Sequence, residues 1–105
     1  MFSIDNQKKI VLTKGDDAIL RVHVFNGDKE IDIDGTVTFT VRATPDIQQY
    51  LFQKTSTDGY IEIASSDTST ANCGLYCYDV QYTDENDKVS TIIKSFFEIT
   101  AEITK

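Results

Sequence analysis

Three stretches of the chain alternate apolar and polar residues with a period of two, and this constrains the fold more than any other feature. Between Ala18 and Val24, the residues Leu20, Val22 and Val24 fall on one side of an extended backbone, and Arg21 and His23 on the other. Between Thr36 and Ala43, Val37, Phe39, Val41 and Ala43 oppose Thr36, Thr38, Thr40 and Arg42. Between Leu75 and Thr83, Tyr76, Tyr78, Val80 and Tyr82 oppose Cys77, Asp79, Gln81 and Thr83. Successive side chains of a strand point to opposite faces, so this pattern marks antiparallel strands with one face on a core and one face wet. Further strands are expected at 8–13, 50–55, 59–64 and 89–103. In the last, Ile93, Phe97, Ile99, Ala101 and Ile103 alternate with Lys94, Glu98 and Glu102.

Composition agrees. The 105 residues include 12 Ile, 7 Val and 13 Thr against 4 Leu and 5 Ala, which disfavours a helical bundle. Turn signals separate the strands: Lys14-Gly15-Asp16-Asp17, Asn26-Gly27-Asp28, Asp34-Gly35, Thr44-Pro45-Asp46, Asp58-Gly59, Asn72-Cys73-Gly74 and Asp84-Glu85-Asn86-Asp87. Asn26-Gly27 suits a type I′ hairpin turn. Thr44 and Pro45 suit the N-cap and first position of one helical turn over 44–49. About seven short strands in one domain of this length predict an all-β fold, an immunoglobulin-like antiparallel β-sandwich, with a small barrel as the alternative. Gly74-Leu75-Tyr76 before an alternating strand predicts a tyrosine corner, in which the hydroxyl bonds back to the upstream backbone.

The sandwich is expected to lack a disulfide. Cys73 and Cys77 lie four residues apart, about 13 Å in an extended strand, beyond the span of a disulfide. Both are read as free thiols of a protein made in a reducing cytoplasm. Their spacing is poor for zinc, and His23 alone completes no ligand set. Neither a metal nor a cofactor is expected. The N-terminal residues Met1 to Asp5 contain no basic and apolar secretory signal, and no apolar run is long enough for a membrane helix.

The net charge of −7 argues against a nucleic-acid partner, because phosphate neutralisation drives that binding. Of the 17 acidic residues 12 are Asp, so much of the charge belongs to turn chemistry rather than to a binding surface. His23 is the only imidazole, and no sequence feature brings a nucleophile to it, so no catalytic residue is assigned and the chain reads as a non-enzyme. Asp84-Glu85-Asn86-Asp87-Lys88 begins like a calcium loop but sets Lys88 where an acid belongs, which fits a solvated turn. Tyr82, with Ile99 and Ile103 of the last strand, is the candidate interface set. Tyrosine adds area with a polar tip, and a long final strand offers an edge to another subunit. The same Tyr residues fit the rim of a core, and Lys94, Glu98 and Glu102 fit gatekeepers against pairing.

Several segments together resemble a known family. Ile31-Asp32-Ile33-Asp34-Gly35-Thr36-Val37-Thr38-Phe39-Thr40-Val41, the opening Lys14-Gly15-Asp16-Asp17, the strand Gly74-Leu75-Tyr76-Cys77-Tyr78-Asp79-Val80-Gln81-Tyr82 and the closing Thr91-Ile92-Ile93 through Phe97-Glu98-Ile99-Thr100 are similar to small β-sandwich domains of Gram-positive phage and prophage structural proteins. The N-terminal domain of phage upper baseplate proteins is the example, and the resemblance spans residues 10–104. One departure is Lys94-Ser95, where the family carries Gly before the final Phe-x-Ile. The resemblance implies a virion structural protein made in the bacterial host cytoplasm, a baseplate or tail component or a capsid decoration. It implies other phage structural proteins as partners, a homo-oligomer or many copies per particle, and no membrane. A free-standing module that binds a surface protein or carbohydrate, with Phe25 or Tyr50 beside Asp-rich loops, is the alternative.

Overall fold

The structure is a computed structural model, and it describes residues 2–4, 8–26 and 29–101. Within them lie ten strands and one helical turn: β1 (Phe2–Ile4), β2 (Ile10–Thr13), β3 (Ala18–Arg21), β4 (Val24–Asn26), β5 (Lys29–Ile31), β6 (Thr36–Arg42), β7 (Phe52–Ser56), β8 (Tyr60–Ile63), α1 (Ser65–Thr68), β9 (Gly74–Thr83) and β10 (Val89–Thr100). One layer is a six-stranded sheet in the order β1-β2-β10-β9-β6-β7. The other holds the pairs β3–β8 and β4–β5. The neighbours β10-β9-β6 in one layer and β3-β8 in the other turn their apolar faces to a common core, a sandwich-like all-β arrangement.

The alternation of the sequence becomes the core. Val37, Phe39 and Val41 of β6, Leu12 of β2 and Phe97 of β10 are fully buried. Tyr78, Val80 and Tyr82 of β9 face the same side, and Leu20 of β3 with Ile61 and Ile63 of β8 meet them from the other layer. The Phe39 ring lies 5.2 Å from Tyr78, 6.0 Å from Phe52 and 6.2 Å from Phe97, in tilted and edge-on contacts that suit aromatic quadrupoles. Each fully buried aromatic of this kind contributes roughly 1.5–3 kcal/mol of transfer free energy, and no disulfide supplements the core. Cys73 is exposed and Cys77 half-buried, both as free thiols.

The tyrosine corner is present. The Tyr76 hydroxyl donates to the Asn72 carbonyl at 2.7 Å. Other expectations need correction. β2 runs parallel to β10, with Ile10 opposite Phe97 and Thr13 opposite Thr100, so the sheet is mixed rather than wholly antiparallel. The hairpin after Val24 pairs Asn26 with Lys29. Its two connecting positions are therefore 27 and 28, one residue later than Asn26-Gly27, and they lie outside the described residues. No helix forms over 44–49. The Thr44 hydroxyl bonds to the Asp46 carboxylate at 2.6 Å instead of capping backbone amides, and Leu51 N–H returns to the Val41 carbonyl at 2.7 Å, which draws the chain straight into β7.

The helical turn that does form, α1, is held by distant partners. Asp67 accepts from Ala64 N–H at 2.8 Å, Asp17 accepts from Ser65 N–H at 2.7 Å, and the buried Thr68 hydroxyl accepts from Gly15 N–H at 2.9 Å. One glycine matters for close approach. A Cβ on Gly35 would stand 1.9 Å from the Thr83 carbonyl oxygen, so only glycine lets this loop lie against the end of β9.

Candidate docking site

β10 organises the surface features of the domain. It pairs with β9 from Val89 to Ile99, with a register shift between Thr91 and Ile93. Before the shift Ser90 lies opposite Tyr82, and after it Ile93 lies opposite Val80, Ser95 opposite Tyr78 and Phe97 opposite Tyr76. The bulge thus resets the alternation, and both Ile92 and Ile93 pack against the core.

On the outer face of this sheet, Phe96 stands opposite Cys77 and Cys77 opposite Arg42. Phe96 is 54% exposed and its diagonal neighbour Leu75 is 57% exposed, so a phenyl ring and a leucine lie together on this outer face. Phe96 borders a basin of about 420 Å³ whose lining includes Pro45, Thr40, Arg42, Cys77, Asp79 and Lys94. Much of this lining is chemically satisfied. Arg42 Nη1 donates to Asp79 Oδ2 at 3.1 Å, and Gln53 Nε2 donates to the Thr40 hydroxyl at 3.0 Å. The Cys77 thiol donates to the Arg42 carbonyl at 3.5 Å, and burial pushes its pKa up, against the pull of the Arg42 charge. The thiol therefore stays protonated at neutral pH and is a poor nucleophile.

A second hollow, a cleft of about 490 Å³, opens on the side of the sandwich between β10 and β3. Its floor is Phe39, Tyr78 and Val80, and its walls include Leu20, Val22, Ile92 and Ile93.

The candidate residues from sequence fall as follows. Tyr82 is buried. Its hydroxyl donates a short hydrogen bond to Asp34 Oδ1 and accepts from Asp34 N–H at 3.3 Å. Ile99 is 1% exposed in the core, on the stretch of β10 that β2 covers. Both side chains face inward in this chain, because they share the parity of the buried β9 and β10 residues. Ile103 lies outside the described residues. The edge available on β10 is thus at its beginning, not its end. His23 Nδ1 bonds to Glu30 Oε2 at 2.6 Å across the β4–β5 hairpin, on a surface apart from the Cys77–Arg42 contact. Asp84 Oδ1 accepts from Asn86 and Lys88 N–H at 2.9 and 3.0 Å, which closes the β9–β10 turn. Among the described residues, no group of three or more His, Cys, Asp or Glu side chains gathers to hold a metal ion. Tyr50 is half-exposed, and the structure describes the backbone of Phe25 but not its side chain.

Sequence reasoning missed Phe96. A signal was present: in the doublet Phe96-Phe97 on an alternating strand, one ring must face outward. No known family model matches the chain, and no curated protein matches it.

Proposed function

We propose that this chain is a non-enzymatic structural protein of a phage or prophage particle, a baseplate or tail component or a capsid decoration, that acts by docking to other particle proteins. The resemblance of its strand and turn segments to Gram-positive phage β-sandwich domains supplies the setting. The observation that carries the docking part is the exposed pair Phe96 and Leu75 on the outer face of the β6–β9–β10 layer. Polar groups beneath them are already paired within the chain, so the face offers apolar contact area rather than unfilled hydrogen bonds. Interface cores are enriched in aromatic residues and depleted in charge, and this pair fits such a core. Particle proteins assemble through repeated, symmetric copies of one contact, so a small sandwich that carries such a patch suits the task.

The test is mass spectrometry of purified particles from a strain carrying the gene. The chain is expected among the particle proteins, and Phe96→Ser with Leu75→Ser is expected to leave a folded protein that is lost from particles at least ten-fold. Absence of the native chain from particles, or full incorporation of the folded double variant, overturns the reading.

A further inference from the structure

β10 is paired on both sides over Phe97–Ile99 but, among the described residues, no strand pairs with its second side over Val89–Lys94. Across the sandwich, β3 pairs with β8 alone, so its other side has no strand among the described residues either. The apolar cleft lies between these two edges. Unpaired backbone groups next to an opening into the core are what an added strand requires: main-chain hydrogen bonds give affinity, and hollows for alternate side chains give selectivity. Six residues of extended chain span about 20 Å and turn three side chains to one face, and a cleft of about 490 Å³ has room for them.

Charge identifies the occupant. Lys8, Arg21 and His23 line the cleft, whereas Lys94 of the edge strand turns to the opposite face, where it lines the Phe96 basin and stands opposite Asp79. Arg21 is held over the Tyr60 ring at 5.3 Å. Glu30, bound to His23, offsets one of these groups. The rim is therefore cationic in a chain of net charge −7. A second copy would bring Lys8 and Arg21 against the same cations, and a lysine on an edge strand, as at Lys94, is a recognised guard against indiscriminate pairing. A strand that carries carboxylates is favoured where a like-charged one is repelled.

We infer that the open side of the sandwich, between Val89–Lys94 of β10 and Ala18–Arg21 of β3, accepts an extended acidic segment of a partner protein as an added strand, its alternate apolar side chains entering the cleft over Phe39, Tyr78 and Val80. This surface is separate from the Phe96 patch, and the inference stands or falls independently of the particle setting.

Hydrogen exchange and titration with two capped eight-residue peptides test it. One peptide alternates valine with glutamate and threonine; the other has lysine in place of glutamate. At low salt the acidic peptide is expected to bind at least ten-fold tighter than the lysine peptide and to protect the amides of Val89–Lys94. The double variant Lys8→Glu, Arg21→Glu changes only exposed side chains of the cleft; with its thermal unfolding unchanged, its preference is expected to reverse. Three results overturn the inference: equal or no binding of the two peptides, protection elsewhere, and concentration-dependent protection of Val89–Lys94 without peptide, which would mark self-pairing.

Discussion

The two halves of β10 share one strand and one partner in β9, yet they are different materials. Over Phe97–Ile99 the strand is paired on both sides, with Phe97 and Ile99 sealed in the core. Over Val89–Phe96 the side chains are exposed or half-buried, the bulge interrupts the alternation, and β9 supplies the pairing. The difference comes from β2, whose register with β10 begins only at Ile10 opposite Phe97. Lys8, two residues earlier, has φ of 67°, a left-handed turn that ends the extended run. A single backbone turn thus decides where the sheet is closed and where it stays open.

This contrast predicts a steep gradient of mutational cost along one strand. Phe97→Ala should cost about 4 kcal/mol, from lost transfer energy and the cavity left among Phe39 and Phe52. Urea denaturation measures it, and a loss under 2 kcal/mol would mean the closed half is not the anchor. Tyr82→Phe, beneath the open half and opposite Ser90, should cost about 1 kcal/mol at pH 7 by removing the bond to Asp34. That bond favours the neutral phenol, and with burial it raises the Tyr82 pKa above its ordinary value. The folded-state pKa is therefore the higher one. Its stabilisation is complete below about pH 10, the unfolded value, and is lost as pH rises through the raised value. The gap between native and Tyr82→Phe protein should accordingly narrow between pH 7 and pH 11, and a constant gap would break the assignment. Phe96→Ser should change stability by less than about 0.5 kcal/mol, because the ring is more than half exposed. A larger loss in thermal unfolding would place Phe96 in the fold rather than on a docking face.

Much of the fold is legible because one face of each long strand is buried. Val37, Phe39 and Val41 can share a core only if Thr36, Thr38 and Arg42 face away, so parity alone assigns the faces. Gly74-Leu75-Tyr76 likewise announces the corner that the Tyr76–Asn72 bond completes. What parity does not carry is pairing between distant strands. The parallel contact of β2 with β10, the contact of Asp17 with Ser65 and the close approach of Gly35 to Thr83 all join residues far apart in sequence. The docking candidates show the same limit. Tyr82 reads as a rim tyrosine, but its polar tip is satisfied by Asp34 on the loop between β5 and β6, a partner that no local pattern names. The open edge follows from where β2 begins, and a positive φ at a lysine has no signature in composition.

The pairing of β2 with β10 also has a consequence in time. Thr13 and Thr100 meet across 87 residues of chain, and Lys14 N–H reaches the Thr100 carbonyl at 2.9 Å. During synthesis β2 emerges early and waits for its neighbour until nearly all of the described chain has been made. The loop that closes is the longest the sheet contains, and its entropy must be met before the contact rewards it. Such a topology folds in the millisecond-to-second range typical of non-local β architectures. A ribosome-bound chain that ends before Phe97 holds Leu12 without its β10 neighbour, so the closing strand sets the moment at which this domain acquires its core.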